Sequence, residues 1–253
     1  MIAHSGAMAD TLFADAYLAG VYDVWHPRSV RDDYDFYLPH IKAAEAVLDA
    51  GCGTGTLLHD ARDAGHAGRL VGLDPAEGML ALARRRREIE WVLGDLQSAA
   101  WDGAFDLVVM TGHAFQAIVS DEDLRRAAAA VRRALKPGGC FAFETRNPAA
   151  RAWERWRPEN AVTVIDNDAR PVTITTEVVA PYNGETVSFT HTFTGDHPSL
   201  PQVSRSTLRF LDPAAVRALL AEAGMGVEQQ FGDFDGRPFA PDGAEIVTFA
   251  RAV

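Results

Sequence analysis

The sequence predicts an α/β fold, a mostly parallel sheet wrapped by helices. Between residues 41 and 150, short apolar runs alternate with stretches of helical period, as in repeated βα units. The apolar runs at Val47–Ala50 and Leu70–Asp74 read as buried strands that carry an acid near or at their ends. The first of them runs straight into Gly51-Cys52-Gly53-Thr54-Gly55, a turn where backbone comes close to something else. Only glycine reaches positive φ at little cost and leaves no Cβ in the way.

The chain divides into four stretches. Residues 9–40 are helical and rich in aromatics: Phe13, Tyr17, Tyr22, Trp25, Tyr34, Phe36 and Tyr37. With a second methionine at Met8, residues 4–8 read as an appended segment and are left out of the fold. Residues 41–150 carry the strand–helix alternation. Residues 161–211 turn threonine-, valine- and phenylalanine-rich with period two, which predicts a small antiparallel sheet. Residues 212–253 return to a helix (Pro213–Ala223) and two strands (Val227–Phe231 and Ala244–Ala250).

The glycine turn selects its ligand. Gly51 and Gly53 fit a dinucleotide fingerprint, but the last glycine stands at Gly55, one residue early, with Thr56 in its place. There is no Gly-Lys-Ser/Thr ending, and no Lys or Arg between Lys42 and Arg62 to meet a phosphate. A leading acid, Asp49, with no cation nearby suits a ligand with a cationic end, an ammonium or a sulfonium.

Three later features stand in order. Leu70-Val71-Gly72-Leu73-Asp74 ends a second buried strand on an acid able to accept both hydroxyls of a ribose. The same Asp74, with Pro75 at a first helical position, also fits a cap for a helix over Ala76–Arg87. Within Ile89–Leu96 a short third strand is followed by Asp95, which fits either a ligand contact or a cap of its own turn. Phe105–Gly112 reads as a central fourth strand, and Pro137-Gly138-Gly139 launches a fifth.

This set resembles the motifs of class I S-adenosylmethionine-dependent methyltransferases, closely over residues 40–150 and more loosely over the last forty. The resemblance implies a Rossmann-like, doubly wound, seven-stranded and mostly parallel sheet. It implies an N-terminal helical lid over residues 1–40, a cofactor-binding core over 41–160 and 212–253, and an antiparallel β insert over 161–211 that caps the substrate site. It implies S-adenosyl-L-methionine as cofactor and S-adenosyl-L-homocysteine as product, held by Asp49, Gly51, Cys52, Gly53, Gly55, Asp74, Pro75, Asp95, Leu96, Thr111 and Tyr22. Asp74 would take the ribose. Asp95 and the next backbone N–H would take the adenine. Tyr22 belongs to a segment that closes over the cofactor in many relatives, though ordinary burial explains it as well.

Methyl transfer is an in-line displacement, so the protein mainly positions and desolvates. Where the acceptor is a hydroxyl or an ammonium, a base must take its proton. His113, just past the fourth strand, is the catalytic candidate, with an ordinary pKa that suits neutral pH; the alternative is that it only orients substrate. Candidate substrate contacts are Gln116, Arg146, Asn147, Trp153 and His191. Arg146 offers a planar fork for a carboxylate or phosphate, or else pairs with Glu144. In the insert, Asn183-Gly184 signals a two-residue type I′ hairpin turn. That turn pairs Val178 with Phe189, Thr176 with His191 and Ile174 with Phe193, which leaves His191 on the apolar face, where packing competes with a substrate role.

A net charge of −11 disfavours nucleic acid and anionic membranes as partners. The basic run Arg84–Arg87 fits the dipole at the end of a helix. Cys52 and Cys140 suggest neither a disulfide framework nor a metal site, and so a reducing cytoplasm. No metal is expected: Gly232–Pro238 carries two acids but lacks the ligand spacing of an EF-hand. No run nears the roughly 18 apolar residues of a membrane span. The expected partner is a small-molecule methyl acceptor, on a monomer or homodimer. The competing readings are a tRNA or other nucleic-acid or protein methyltransferase, or a non-catalytic cofactor-binding protein. Against the amino-group nucleic-acid enzymes, the position of their Asn/Asp-Pro-Pro-aromatic motif reads Thr111-Gly112-His113-Ala114.

Overall fold

The computed structural model describes residues 10–253; the appended segment 4–8 lies outside them. The chain forms a seven-stranded sheet and a separate four-stranded sheet. The large sheet comprises β1 (Ala46–Ala50), β2 (Arg69–Asp74), β3 (Glu90–Leu93), β4 (Phe105–Met110), β5 (Leu135–Arg146), β10 (Met225–Phe231) and β11 (Glu245–Ala252). Their order is β10-β11-β5-β4-β1-β2-β3. All neighbours are parallel except β11, which runs antiparallel to both β5 and β10.

β1 is buried along its whole length because helices cover both faces. Leu48 and Ala50 face the layer of α6 (Asp121–Ala134) and α7 (Pro213–Glu222), where they meet Leu124, Val131, Val216 and Leu220. Val47 faces the opposite layer, α3 (Asp32–Ala43) and α4 (Thr56–Asp63), with Tyr37, Ile41, Leu57 and Leu58. Strand alternation therefore turns Asp49 toward α3. Helix α6 shows the local logic well. Ser120 caps Asp123 N at 3.0 Å, acids fill the first turn, arginines the last, and Leu124, Ala127, Ala128, Val131 and Ala134 make one apolar face.

The helix expected over Ala76–Arg87 is shorter: α5 spans Glu77–Ala83. Asp74 Oδ1 accepts from Ala76 N at 2.8 Å, and Ala76 stays extended as the N-cap, so Pro75 precedes the helix. At the other end Trp91 Nε1 donates to Arg86 O at 2.8 Å, which fixes the arginine run as a turn back into β3.

The small sheet is β6 (Val162–Ile165), β7 (Pro171–Ala180), β8 (Thr186–Gly195) and β9 (Gln202–Arg209), paired in chain order. The β7–β8 register matches the expected one: Ile174 opposite Phe193, Thr176 opposite His191 and Val178 opposite Phe189. The turn differs. A shift between Val178 and Ala180 moves the pairing, so Asn183 N bonds Thr186 O at 3.3 Å while Asn183 Oδ1 accepts from Glu185 N and Thr186 N. Gly184 and Glu185, rather than Asn183 and Gly184, hold the corner.

Helices α1 (Thr11–Ala14) and α2 (Ala16–Trp25) lie between the small sheet and α5. Leu12, Leu18 and Val21 share a buried cluster with Val172, Ile174 and Phe193; Ala19 meets Ala76 and Met79. Leu12 N donates to Ser204 Oγ at 2.9 Å and Tyr17 OH to Asp166 Oδ2 at 2.9 Å. The N-terminal helices and the insert thus form one roof over the strand ends. Helix α3 runs through residue 40, joining roof to core.

Candidate functional site

The site lies where β1, β2, β4 and β5 end, the edge at which open α/β sheets bind ligands. Gly51, Gly53 and Gly55 all have positive φ, at 79°, 55° and 78°. Gly51 N and Cys52 N donate to Leu73 O at 2.7 and 3.1 Å, which lashes the turn to β2. A Cβ on Gly51 would sit 2.8 Å from Ala114 Cβ, and one on Gly55 2.4 Å from the Trp91 ring. At Gly53 a Cβ would meet nothing within 4 Å among the described residues. The glycines thus divide their work: Gly51 and Gly55 admit protein neighbours, and Gly53 presents bare backbone. Trp91 also fills the space above Gly72, where a Cβ would lie 2.4 Å from its ring. Cys52 is buried among these groups.

Asp49 is 1% exposed, and its Oδ1 has no hydrogen-bond partner among the described residues. Burial, then the neighbouring Asp74 carboxylate, raises its pKa to about 8 against the opposing pull of Arg31. Asp74 Oδ2 accepts from Gly53 N at 2.8 Å, so this acid also shapes the turn. Pro75 is exposed. Asp95 Oδ1 accepts from Gln97 N and Ser98 N at 3.0 and 2.8 Å, the capping arrangement, and Leu96 beside it is buried. Thr111 is buried at the end of β4.

Arg31 enters from the roof. Its guanidinium forks onto Asp33 at 2.9 and 2.6 Å and lies over the Tyr34 ring, 3.8 Å from the centroid. It also reaches Gly112: a Cβ there would lie 3.4 Å from Arg31 Nη2 and 3.9 Å from Tyr22 OH. Nothing in the Arg-Asp-Asp-Tyr string marks Arg31 as a site residue; only the fold brings it to Asp49.

His113 holds left-handed backbone at φ 63°, unusual for a side-chain-bearing residue. Its N–H donates to Glu144 Oε1 at 2.8 Å, and Glu144 also accepts from Tyr37 OH at 2.7 Å. The imidazole Nε2 lies 3.0 Å from Glu245 Oε2. Burial, then the Arg146 charge, lowers the His113 pKa to about 3, so the ring is neutral at physiological pH. The expectation of an ordinary histidine pKa fails here because the ring is desolvated. Burial lifts Glu245 to about 7, with Arg146 opposing.

Arg146 does not turn to Glu144, which is occupied. Its N and Nη1 donate to Gln116 Oε1 at 3.1 and 3.3 Å, and its guanidinium lies 5.7 Å from the Trp156 ring centre. Gln116 is 1% exposed and gives its other end to Arg209 O at 2.8 Å. Asn147 Nδ2 donates to Pro241 O and Gly243 O at 3.0 and 2.8 Å, and its Oδ1 accepts from Ala149 N at 3.0 Å. Trp153 stacks on Tyr182, centroids 4.5 Å apart. With Pro148, Arg151 and Trp156 these rings line a cavity of about 640 Å³ between the segment after β5 and the hairpin tip. His191 Nδ1 bonds Thr176 Oγ1 at 2.9 Å, its ring meets Trp25 edge-on at 4.9 Å, and burial lowers its pKa to about 4.

The comparisons agree with this layout. Residues 47–139 match the family described as a methyltransferase domain. A demethylmenaquinone methyltransferase from Symbiobacterium thermophilum is 34% identical over 143 residues, 53% of this chain and 53% of that protein. The CcbJ methyltransferase of Streptomyces caelestis superposes with a TM-score of 0.75 at 22% identity, over 97% of this chain and 100% of that one. SAM-bound CalS10, an amino pentose methyltransferase from Micromonospora echinaspora, gives 0.69 at 22% identity, over 92% and 97%. Residues 47–139 are a methyltransferase domain, and the chain has the fold of S-adenosylmethionine-dependent methyltransferases. It spans about half the length of the curated relatives it matches. No helix of the described residues is long and apolar enough to cross a membrane, and no cluster of three His, Cys, Asp or Glu among them is arranged for a metal ion.

Sequence reasoning missed Arg31 and Glu245. For Glu245 a signal existed. An antiparallel last strand must begin where β5 ends, and Glu245 does pair with Arg146.

Proposed function

We propose that this protein transfers a methyl group from S-adenosyl-L-methionine to an oxygen or nitrogen atom of a small molecule. The observation that carries the reading is the buried Asp49 oxygen, without a partner among the described residues, at the head of the turn that carries the bare backbone of Gly53. A buried carboxylate oxygen calls for a donor, and a cationic amino-acid end supplies one. The residues fit that group. Asp49 would take its ammonium, Arg31 its carboxylate, Asp74 its ribose hydroxyls, and Asp95 with the Leu96 N–H its adenine. Cys52, Thr111 and Tyr22 line the remaining wall. When bound, the cofactor supplies an electrophilic methyl group on a sulfonium.

The chain's own residues do the rest. The roof of α1, α2 and the small sheet excludes water. His113, neutral, takes the acceptor's proton. Arg146, Trp153 and His191 orient the acceptor, while Gln116 and Asn147 serve by holding Arg146 and the 241–243 loop in place. The acidic surface favours a small acceptor over a nucleic acid. Two free cysteines suit a reducing cytoplasm.

The test is thermal shift with S-adenosylhomocysteine, followed by a screen of acceptors with methyl-labelled cofactor. Stabilisation that Asp74→Ala removes and His113→Ala spares supports the reading, as does slowed turnover in His113→Ala. No stabilisation of the wild type would remove the enzyme reading. Unchanged turnover in His113→Ala would remove the base assignment.

A further inference from the structure

The geometry points to Glu245 as the positioning residue for His113: it fixes the Nε2–H tautomer, leaves Nδ1 as the proton acceptor, and stabilises the imidazolium that forms. The inference rests on the methyl-transfer reading given above and deepens it.

His113 is held at three places. Its backbone is left-handed, its N–H is bonded to Glu144, and its Nε2 faces Glu245 at 3.0 Å. A non-glycine residue in this region is strained, and such strain persists where surroundings over-determine it. The holders come from far along the chain, Glu144 from the end of β5 and Glu245 from the start of β11, which pair side by side. Glu144 is fully committed, with its two oxygens on His113 N and Tyr37 OH. Among the described residues the imidazole is the only hydrogen-bond partner of the Glu245 side chain, so its geometry serves the ring.

The chemistry supplies the reason for a partner. A desolvated imidazole alone is a weak base, because burial and Arg146 both oppose its cation. A carboxylate on Nε2 acts against that handicap as the proton arrives. In the proton transfer the acceptor's O–H or N–H bond breaks and its proton moves to Nδ1. The freed electron pair forms the new bond to the methyl carbon, and the pair of the broken carbon–sulfur bond stays on the donor's sulfur. Glu245 keeps its negative charge beside the imidazolium throughout. The other charges facing the pair are Arg146 and Glu144 on β5, Arg31 and Asp33 from the roof and α3, and Asp233 from the loop before β11. Because the pair must be deprotonated to act, turnover rises with pH through the range where Glu245 loses its proton, about 7.

The experiment uses the full chain with S-adenosylhomocysteine and compares wild type, Glu245→Gln and Glu245→Asp. Nitrogen-15 spectra of His113, assigned by their loss in His113→Ala, read the tautomer directly and need no acceptor. Wild type is expected as the Nε2–H form at pH 8, and Glu245→Gln as a mixture or the Nδ1–H form. With an acceptor, Glu245→Gln should lower kcat on the order of 10²-fold at unchanged KM, the scale of general-base catalysis. It should also lose the pH limb near 7, and Glu245→Asp should recover part of both. The same tautomer and the same pH limb in Glu245→Gln would overturn the assignment. Failure of the wild type to bind S-adenosylhomocysteine would instead remove the methyl-transfer reading and leave the tautomer result to decide the pairing.

Discussion

Asp49 should be a net cost to the cofactor-free fold, and replacing it should stabilise the protein. Its folded pKa of about 8 stands well above the reference value of 3.8. Between these values the folded state binds a proton that the unfolded state has released. Stability from this group is therefore fully present below about pH 4 and is lost as pH rises through 8. The shift is about four units at roughly 1.4 kcal/mol each, which sets a ceiling of about 5–6 kcal/mol above pH 8. Effective dielectric response inside proteins reduces such penalties, so a gain of about 2–3 kcal/mol is expected for Asp49→Asn at pH 8. For a chain of this size that is a Tm increase of roughly 4–12 °C. At pH 4 the two proteins should melt together. The assay is chemical and thermal denaturation of both proteins at steps from pH 4 to 9 without cofactor, with all other titrating groups common to both. A cofactor titration completes it, because the variant that gains stability should lose affinity for S-adenosylhomocysteine. An Asn variant that is less stable than wild type at pH 8, or a gap that does not vary with pH, would refute the argument that Asp49 is a buried, uncompensated carboxylate.

Three further outcomes follow from the packing. Gly72→Ala should destabilise by about 1–3 kcal/mol, since the new methyl meets the Trp91 ring at 2.4 Å and Cys52 Sγ at 2.9 Å. Adding Trp91→Leu should cost less than the sum of the two single changes, because the smaller side chain vacates the overlap; denaturation of all four proteins gives the coupling. Asn147→Ala removes three hydrogen bonds, two that tie the end of β5 to the loop before β11 and one that caps the turn at Ala149. At about 1 kcal/mol each it should lose about 2–3 kcal/mol and raise hydrogen exchange in residues 241–245. Tyr37→Phe takes one of the two donors from buried Glu144 and should cost about 1–3 kcal/mol, measured by urea unfolding at pH 7.

The sheet was legible in the sequence because its strands are short apolar runs with acids at fixed ends, and parallel strands buried on both faces can look no other way. The insert was legible because period-two patterning and a turn signal set its register, which holds at Thr176 and His191. The turn itself misled by one residue, since a bulge before Ala180 shifts the corner. Parts of the site stayed hidden for a different reason. Trp91 explains Gly55 and Gly72, yet a tryptophan in a short edge strand carries no mark of the neighbour it will cover. Arg31 reads as a surface arginine in an acidic string until α3 brings it over Tyr34 and toward Asp49. His113 was found by its place after β4, but its pKa depends on burial and on Arg146, neither of which is local in sequence.

The most direct measurement of the central claim is isothermal titration of the wild type and Asp74→Ala with S-adenosylhomocysteine. Saturable one-to-one binding to the wild type, abolished in an Asp74→Ala protein that still folds, is the predicted result. A wild type that gives no binding heat and no displacement of labelled S-adenosylmethionine would contradict it.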